Sequence, residues 1–151
     1  MIQFHLADAA ATDALGQRLA ACRPPRAVVH LHGDLGAGKS TLARALLRAL
    51  GVAGTIRSPT YTLVERYCLA DGSEAWHMDL YRIGDPGELD FLGLDEGAAS
   101  LWLVEWPERA GAALPPVDLR IELAIEGEGR GVVLLPQSAI GRAWLAALGE
   151  A

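Results

Sequence analysis

Apolar positions along the chain switch between a helical and a strand period, and the switches mark the elements. Ala14, Leu15, Leu19 and Ala20 recur at helical spacing, predicting a helix from an N-cap at Thr12 through about Cys22 that Pro24-Pro25 ends. Ala27-Val28-Val29-His30-Leu31 follows as a short buried strand, and Thr41 to Leu50 reads as a helix closed by Gly51. Tyr61 to Tyr67 and Ala75 to Leu80 are strand-like on either side of the turn signal Asp71-Gly72, which predicts an antiparallel hairpin. Glu88 to Gly97 has room for a short helix. Leu101-Trp102-Leu103-Val104 is apolar throughout, the pattern of a parallel strand buried on both faces. Leu119 to Ile125 and Gly131 to Leu135 flank the turn Glu126-Gly127-Glu128-Gly129, and Ile140 to Leu148 closes the chain as a helix. The predicted architecture is α/β: a mixed, mostly parallel central sheet with antiparallel hairpin additions, in a single domain over residues 1–151.

The junction between the first apolar strand and the second helix carries the chemistry. Gly33-Asp34-Leu35-Gly36-Ala37-Gly38-Lys39-Ser40 fits the phosphate-loop pattern GxxxxGK[ST] at every fixed position. Strand, glycine loop and helix is the context in which loop N–H groups point at phosphates, reinforced by the helix N-terminus. Lys39 is the only lysine of the chain, beside twelve arginines. Arginine serves wherever charge alone suffices, so Lys39 reads as a geometric requirement: a compact ammonium reaches between two phosphates where a planar guanidinium is too bulky. Ser40 is placed to offer its hydroxyl to Mg²⁺. These features make the expected fold a three-layer P-loop NTPase and the expected cofactors ATP and Mg²⁺.

Composition narrows the role. At 151 residues and 51% hydrophobic content the chain has enough apolar material for a real core. A net charge of −6, without a clustered basic stripe, opposes unaided binding to a polyphosphate backbone, so any nucleic-acid role is expected to be indirect. No apolar run approaches a membrane span and no leader is evident, which makes the cytoplasm the default. Cys22 and Cys68 have neither CxxC spacing nor a His-rich neighbourhood, so neither a disulfide nor a zinc site is expected.

Two acids end apolar strands. Glu105 stands where a Walker B acid would reach Mg²⁺, directly or through water, and Trp106 beside it indicates an enclosed setting. Asp79, in His77-Met78-Asp79-Leu80-Tyr81-Arg82, would either orient the attacking water or bind metal in place of Glu105; a turn-capping aspartate is the plainer reading. His77 shares the sheet face of Asp79, but a lone strand histidine is more often packed than catalytic. Ser58-Pro59-Thr60-Tyr61-Thr62 lies where P-loop proteins keep a switch; Thr60, flanked by Ser58 and Thr62, is the candidate γ-phosphate sensor. Arg57, Arg66 and Arg82 are candidates for the mouth of the site. The chain has no asparagine and no second lysine, so the NKxD guanine reader of small GTPases is absent and ATP is favoured over GTP.

Gly33 to Thr41, Ser58 to Val64, His77 to Arg82 and Leu103-Val104-Glu105-Trp106-Pro107 occur in an order and at spacings that closely resemble TsaE, the bacterial ATPase of tRNA threonylcarbamoyladenosine biosynthesis. The resemblance covers most of residues 1–107. It implies a P-loop ATPase that works with TsaB and TsaD while threonylcarbamoyl is placed on the adenosine beside the anticodon, reaching tRNA only through that complex. It also implies that Gly36 to Thr41 hold the phosphates, Ser40 and Glu105 the Mg²⁺, that Asp79 serves hydrolysis, that Trp106 lies close to the nucleotide, and that Leu6 to Ala9 wall the adenine. Family members more often carry Thr at the Ser40 position, which supplies the same hydroxyl. On this reading ATP binding or hydrolysis resets the TsaB–TsaD assembly, hydrolysis by the isolated chain is slow, and Lys39, Asp79 and Glu105 form the catalytic set. A small P-loop kinase of a small-molecule substrate and a nucleotide-gated binding module are the alternatives; the lack of an arginine-rich lid segment weighs against the kinase.

Overall fold

A computed structural model describes residues 1–57, 59, 62–92 and 99–149. Its strands form one seven-stranded sheet in the order β1-β7-β6-β2-β5-β4-β3, where β1 is Ile2–Leu6, β2 Ala27–His32, β3 Val64–Cys68, β4 Glu74–Asp79, β5 Ala99–Glu105, β6 Leu119–Glu126 and β7 Gly129–Pro136. The four central strands, β6, β2, β5 and β4, run parallel. Both edges are closed by antiparallel pairs, β6 with β7 and β1 on one side and β4 with β3 on the other. Among the described residues there are three α-helices, α1 (Ala9–Ala21), α2 (Lys39–Ala49) and α3 (Ala139–Gly149), and 3-10 turns at Pro86–Leu92 and Pro107–Ala110. The expected α/β architecture, with a mixed central sheet and hairpin additions, is the one observed.

Side-chain alternation divides the interior in two. Leu101 and Leu103 of β5, Ala75 of β4 and Val29 and Leu31 of β2 face the helices, where Leu15 and Leu19 of α1, Leu42, Leu46 and Leu47 of α2 and Trp144 and Leu148 of α3 meet them. The intervening residues, Trp76, Met78, Trp102 and Val104, pack on the opposite face with Ile83, Leu89 and Ala110. There Trp76 and Trp102 meet at 4.8 Å between ring centroids, a tilted pair worth about 1 kcal/mol beyond the area it buries. β5, covered on both sides, is therefore apolar from Leu101 to Val104, the run that ends in Glu105.

Several boundaries differ from the sequence reading. Helix α1 begins at Ala9, and Asp8 caps it by accepting a hydrogen bond from the Ala11 amide at 2.9 Å. Thr12 lies inside the helix, buried, because the Ala9-Ala10-Ala11 run propagates the helix back to the stronger aspartate cap. The strand Ile2–Leu6 was not anticipated, although Ile2, Phe4 and Leu6 alternate with Gln3 and His5. The third strand starts at Val64, directly after Leu63, which holds a left-handed φ of 67°. Of the helix expected over Glu88 to Gly97 the described part is the 3-10 turn Pro86–Leu92; residues 93–98 lie outside the described residues. The turn at Gly127-Glu128 and the closing helix stand as expected.

Candidate functional site

All four parallel strands end at one edge of the sheet, and in open α/β sheets that carboxyl edge is where ligands bind. β2 delivers the glycine loop there, β4 ends at Asp79 and β5 at Glu105. Asp79 and Glu105 are register partners on neighbouring strands, and Leu31 pairs with Glu105 from the other side, one residue before His32 and the loop. Thus the parallel register alone brings both acids against the phosphate loop.

The loop's glycines are required by geometry. Gly33 has φ +150°, and a Cβ there would sit 2.5 Å from the Leu123 carbonyl oxygen of β6. Gly38 caps α2 at φ +105°, a conformation that turns the loop's backbone into the helix and that side chains other than glycine resist. Lys39 opens α2 and is 5% exposed; its Nζ donates to the Gly33 carbonyl and stands 4.0 Å from the centroid of the Trp106 ring. Burial holds the Lys39 pKa below the usual lysine range, against the opposing pull of Glu105 and Asp79. A desolvated, prepositioned cation next to an aromatic face is primed for an incoming anion.

Ser40 follows, and its hydroxyl lies 3.0 and 3.2 Å from the two carboxylate oxygens of Glu105. Glu105, 3% exposed, is gripped from behind: Oε2 is 2.6 Å from Nε2 of His77, itself fully buried. A residue of β4 and the first turn of α2 thereby lock the Glu105 carboxylate. Asp79 accepts a hydrogen bond from the Tyr81 amide at 3.0 Å, so it caps the turn after β4 while also lining the cleft. The turn-capping reading of that residue holds, and its carboxylate borders the cleft. Trp106 has a left-handed backbone, φ 56° and ψ 50°, which costs an indole-bearing residue about 1–3 kcal/mol and aims its ring across the cleft. Tyr81, at 4.9 Å between centroids, and Pro107 at the start of the next turn hold it there.

Together these residues line a cleft of about 250 Å³ in which Leu35, Gly36, Gly38 and Thr41 supply the loop wall. Gly33, Asp34 and Ala37 complete the loop behind it, the Ala37 amide donating to the Asp34 carbonyl at 3.0 Å. A second cavity of about 220 Å³ adjoins, lined by Leu6, Asp8, Ala9 and Thr12 and sharing Gly38, Thr41 and Arg130 with the cleft. Leu6, Asp8 and Ala9 thus lie beside the loop residues Gly38 and Thr41.

The site fits a magnesium ion in the way such ions are usually held. Its donors are oxygens only, from Ser40, Glu105 and Asp79, and Mg²⁺ favours one or two carboxylates completed by phosphate and water over an all-protein cage. Among the described residues no group of three or more His, Cys, Asp or Glu side chains makes such a cage.

Other expectations meet the structure less directly. Ser58 and Thr60 lie outside the described residues. Thr62 is exposed and donates to Glu65 at 3.0 Å, and it is not among the residues lining the cleft. Arg66 pairs with Glu74 at 3.1 Å and stacks on Trp76, so it is engaged on the β3–β4 hairpin. The arginine that reaches the cleft is Arg130, which sequence reasoning missed; its only signal was its place immediately after the Glu126-Gly127-Glu128-Gly129 turn. His77 was also undervalued, because its partner Glu105 is 28 residues away on another strand.

The family model described as threonylcarbamoyl adenosine biosynthesis protein TsaE matches residues 6–132. A relative so named from Haemophilus influenzae is 42% identical over 117 residues, 76% of this chain and 73% of the relative. One from Bacillus subtilis is 38% identical over 120 residues, covering 78% and 73%, and one from Streptomyces coelicolor is 36% identical over 138 residues, covering 88% and 93%. Among solved structures, the crystal structure of Bacillus subtilis YdiB superposes with a TM-score of 0.78 at 26% identity, over 99% of this chain and 94% of that one.

Proposed function

The chain belongs to the TsaE family, which takes part in tRNA threonylcarbamoyladenosine biosynthesis, and from that premise we propose that it is a Mg²⁺-dependent P-loop ATPase acting on the TsaB–TsaD complex as a nucleotide-driven reset factor. The observation that carries the proposal is the convergence of Lys39, Ser40, Glu105 and Asp79 on one loop-walled cleft at the carboxyl edge of the sheet.

Each group has a task in that cleft. The loop's N–H groups and the N-terminus of α2 cradle the phosphates, with the helix dipole adding positive potential. Lys39, drawn away from the Gly33 carbonyl, neutralises charge between the terminal phosphates. Ser40 and Glu105, already in contact, would hold the Mg²⁺, and a bound ion would supply charge neutralisation on the phosphate oxygens. Asp79, which lines the cleft and accepts from the Tyr81 amide, orients the attacking water. Trp106 closes one wall and excludes solvent. Phosphoryl transfer in such sites gains several orders of magnitude when a partner adds charge or orders the nucleophile, so a chain that works through TsaB and TsaD is expected to hydrolyse ATP slowly by itself.

Multiple-turnover phosphate release, measured for the chain alone and with TsaB and TsaD, tests this reading. Slow release that the partners accelerate, lost in Lys39→Ala and reduced at least about tenfold in Asp79→Asn, is the expected result. Transfer of phosphate to a small-molecule acceptor, with no release to water, would instead support a kinase.

A further inference from the structure

The face of β2 that the nucleotide site does not use carries two histidines. Val29 and Leu31 point at the helices, so alternation sends Val28, His30 and His32 to the opposite side of the sheet, where Val28 joins the tryptophan cluster. His30 and His32 continue that face, with ring centroids 6.3 Å apart and planes tilted by 52°. His30 is paired in register with Val104 on one side and Arg120 on the other, and His32 with Glu122. Neither ring has a hydrogen-bond partner among the described residues, and Nε2 of His30 is buried without one.

An unanswered buried nitrogen costs about 1–3 kcal/mol, and a neutral imidazole has a free lone pair to offer a metal ion. Burial keeps both rings neutral, pushing the pKa of His30 down to about 4 and that of His32 below its ordinary value. Arg120 adds to burial at both rings and Lys39 at His32, while Glu108 pulls the other way at both and Glu122 at His32. The charge that would resist a cation there is offset, because Arg120 is paired with Glu122 at 2.6 Å. Two imidazoles bound to one ion at about 2.1 Å stand about 5–6 Å apart between centroids, so a small rotation of either ring closes the pair on one ion. Nitrogen ligands suit Zn²⁺, Ni²⁺ or Cu²⁺, whereas the oxygen donors of the cleft suit Mg²⁺. No group of three or more His, Cys, Asp or Glu side chains forms here among the described residues, which leaves the other coordination positions to water.

We propose that His30 and His32 form a binding site for a borderline divalent transition ion of the class of Zn²⁺, on the sheet face opposite the helices and directly before the phosphate loop. The site is separate from the cleft, and it does not depend on the nucleotide-binding reading of that loop.

Zn²⁺ is the probe, added to the full chain with Mg²⁺ in excess so that the oxygen donors of the cleft are occupied. In heteronuclear NMR of the imidazole rings, the signals of His30 and His32 should shift together and saturate at one ion per chain, while those of His5 and His77 stay in place. The calorimetric affinity for Zn²⁺ should fall at least about tenfold in His30→Gln and in His32→Gln alike, since losing a ligand costs no less than losing an outer-shell partner. A shift of one ring alone, native-like affinity in either variant, or no binding of Zn²⁺ by the native chain would overturn the proposal. So would binding confined to Cys68 or to the cleft, which leaves both ring signals unmoved. Should His30→Gln fail to fold, His32→Gln decides by the same two readings.

Discussion

Glu105 is held by two groups, Ser40 and His77, before any ligand arrives, and the hold behind it comes from a residue that does not line the cleft. His77 Nε2 lies 2.6 Å from Oε2 in a fully buried setting, so it fixes the rotamer whose oxygens meet Ser40. His77→Ala is expected to free the carboxylate and weaken Mn²⁺ binding to the ADP complex, read by electron paramagnetic resonance, by about 10–100-fold, the worth of a buried hydrogen bond to a charged group. His77→Gln, which retains a donor, should recover part of that loss; equal affinity in all three proteins would show that Ser40 alone positions Glu105. A different histidine bears on stability. Burial, reinforced by His32 and Arg120, pushes the pKa of His30 down to about 4 from an unfolded value of 6.5. The unfolded chain therefore binds more protons across that interval, and the His30 contribution disfavours folding progressively as pH falls from about 6.5 to about 4. Urea midpoints over this range should fall less steeply in His30→Gln than in the native chain; parallel slopes would exclude His30 as a source. Both roles escape sequence reading for one reason: alternation assigns each histidine to a sheet face, whereas its partners belong to strands and turns whose register no local pattern announces.

Helices α1 and α2 meet through a glycine that has no turn to make. At Gly16 a Cβ would stand 2.7 Å from the Ala45 Cβ and 2.8 Å from the Ala45 carbonyl carbon, so the two backbones touch. Gly16→Ala should push the helices apart and cost about 1–3 kcal/mol in urea unfolding, despite the gain in helix propensity. A stabilised variant would mean that the helices separate freely. Elements whose signal is local were legible: the strand–loop–helix unit around Lys39, the Gly127-Glu128 hairpin and the continuous apolar run of β5. The start of α1 was misplaced because Thr12 and Asp8 are both acceptable caps, and the Ala9-Ala10-Ala11 run carries the helix back to Asp8, leaving Thr12 buried beside the cavity at Gly38. Ile2–Leu6 was legible in principle from its alternation, but an edge strand of five residues needs β7 to pair with, and that pairing spans nearly the whole chain.

At the scale of the molecule, the sheet order places Lys39, Ser40, Asp79, Glu105 and Trp106 at one edge in a chain that is acidic overall. Twelve of the thirteen cationic side chains are arginines, several already committed, as Arg23 is to Asp71 and Arg120 to Glu122. Among the described residues no helix is long and apolar enough to cross a membrane. A chain with net charge −6 lacks the basic face that a tRNA backbone requires, so filter retention of tRNA by the isolated chain at about 0.15 M salt is expected to be negligible. Micromolar retention would contradict an indirect role. The proposed role makes the pathway depend on the phosphate loop, and that dependence can be measured directly. Threonylcarbamoyl incorporation into tRNA is followed over many turnovers, with TsaB, TsaD, ATP and a threonylcarbamoyl-adenylate source, adding either the native chain or Lys39→Ala. Sustained incorporation with the native chain and a stall after about one turnover with Lys39→Ala is the predicted result; equal incorporation with the two, or none above the partners alone, would contradict a nucleotide-driven role.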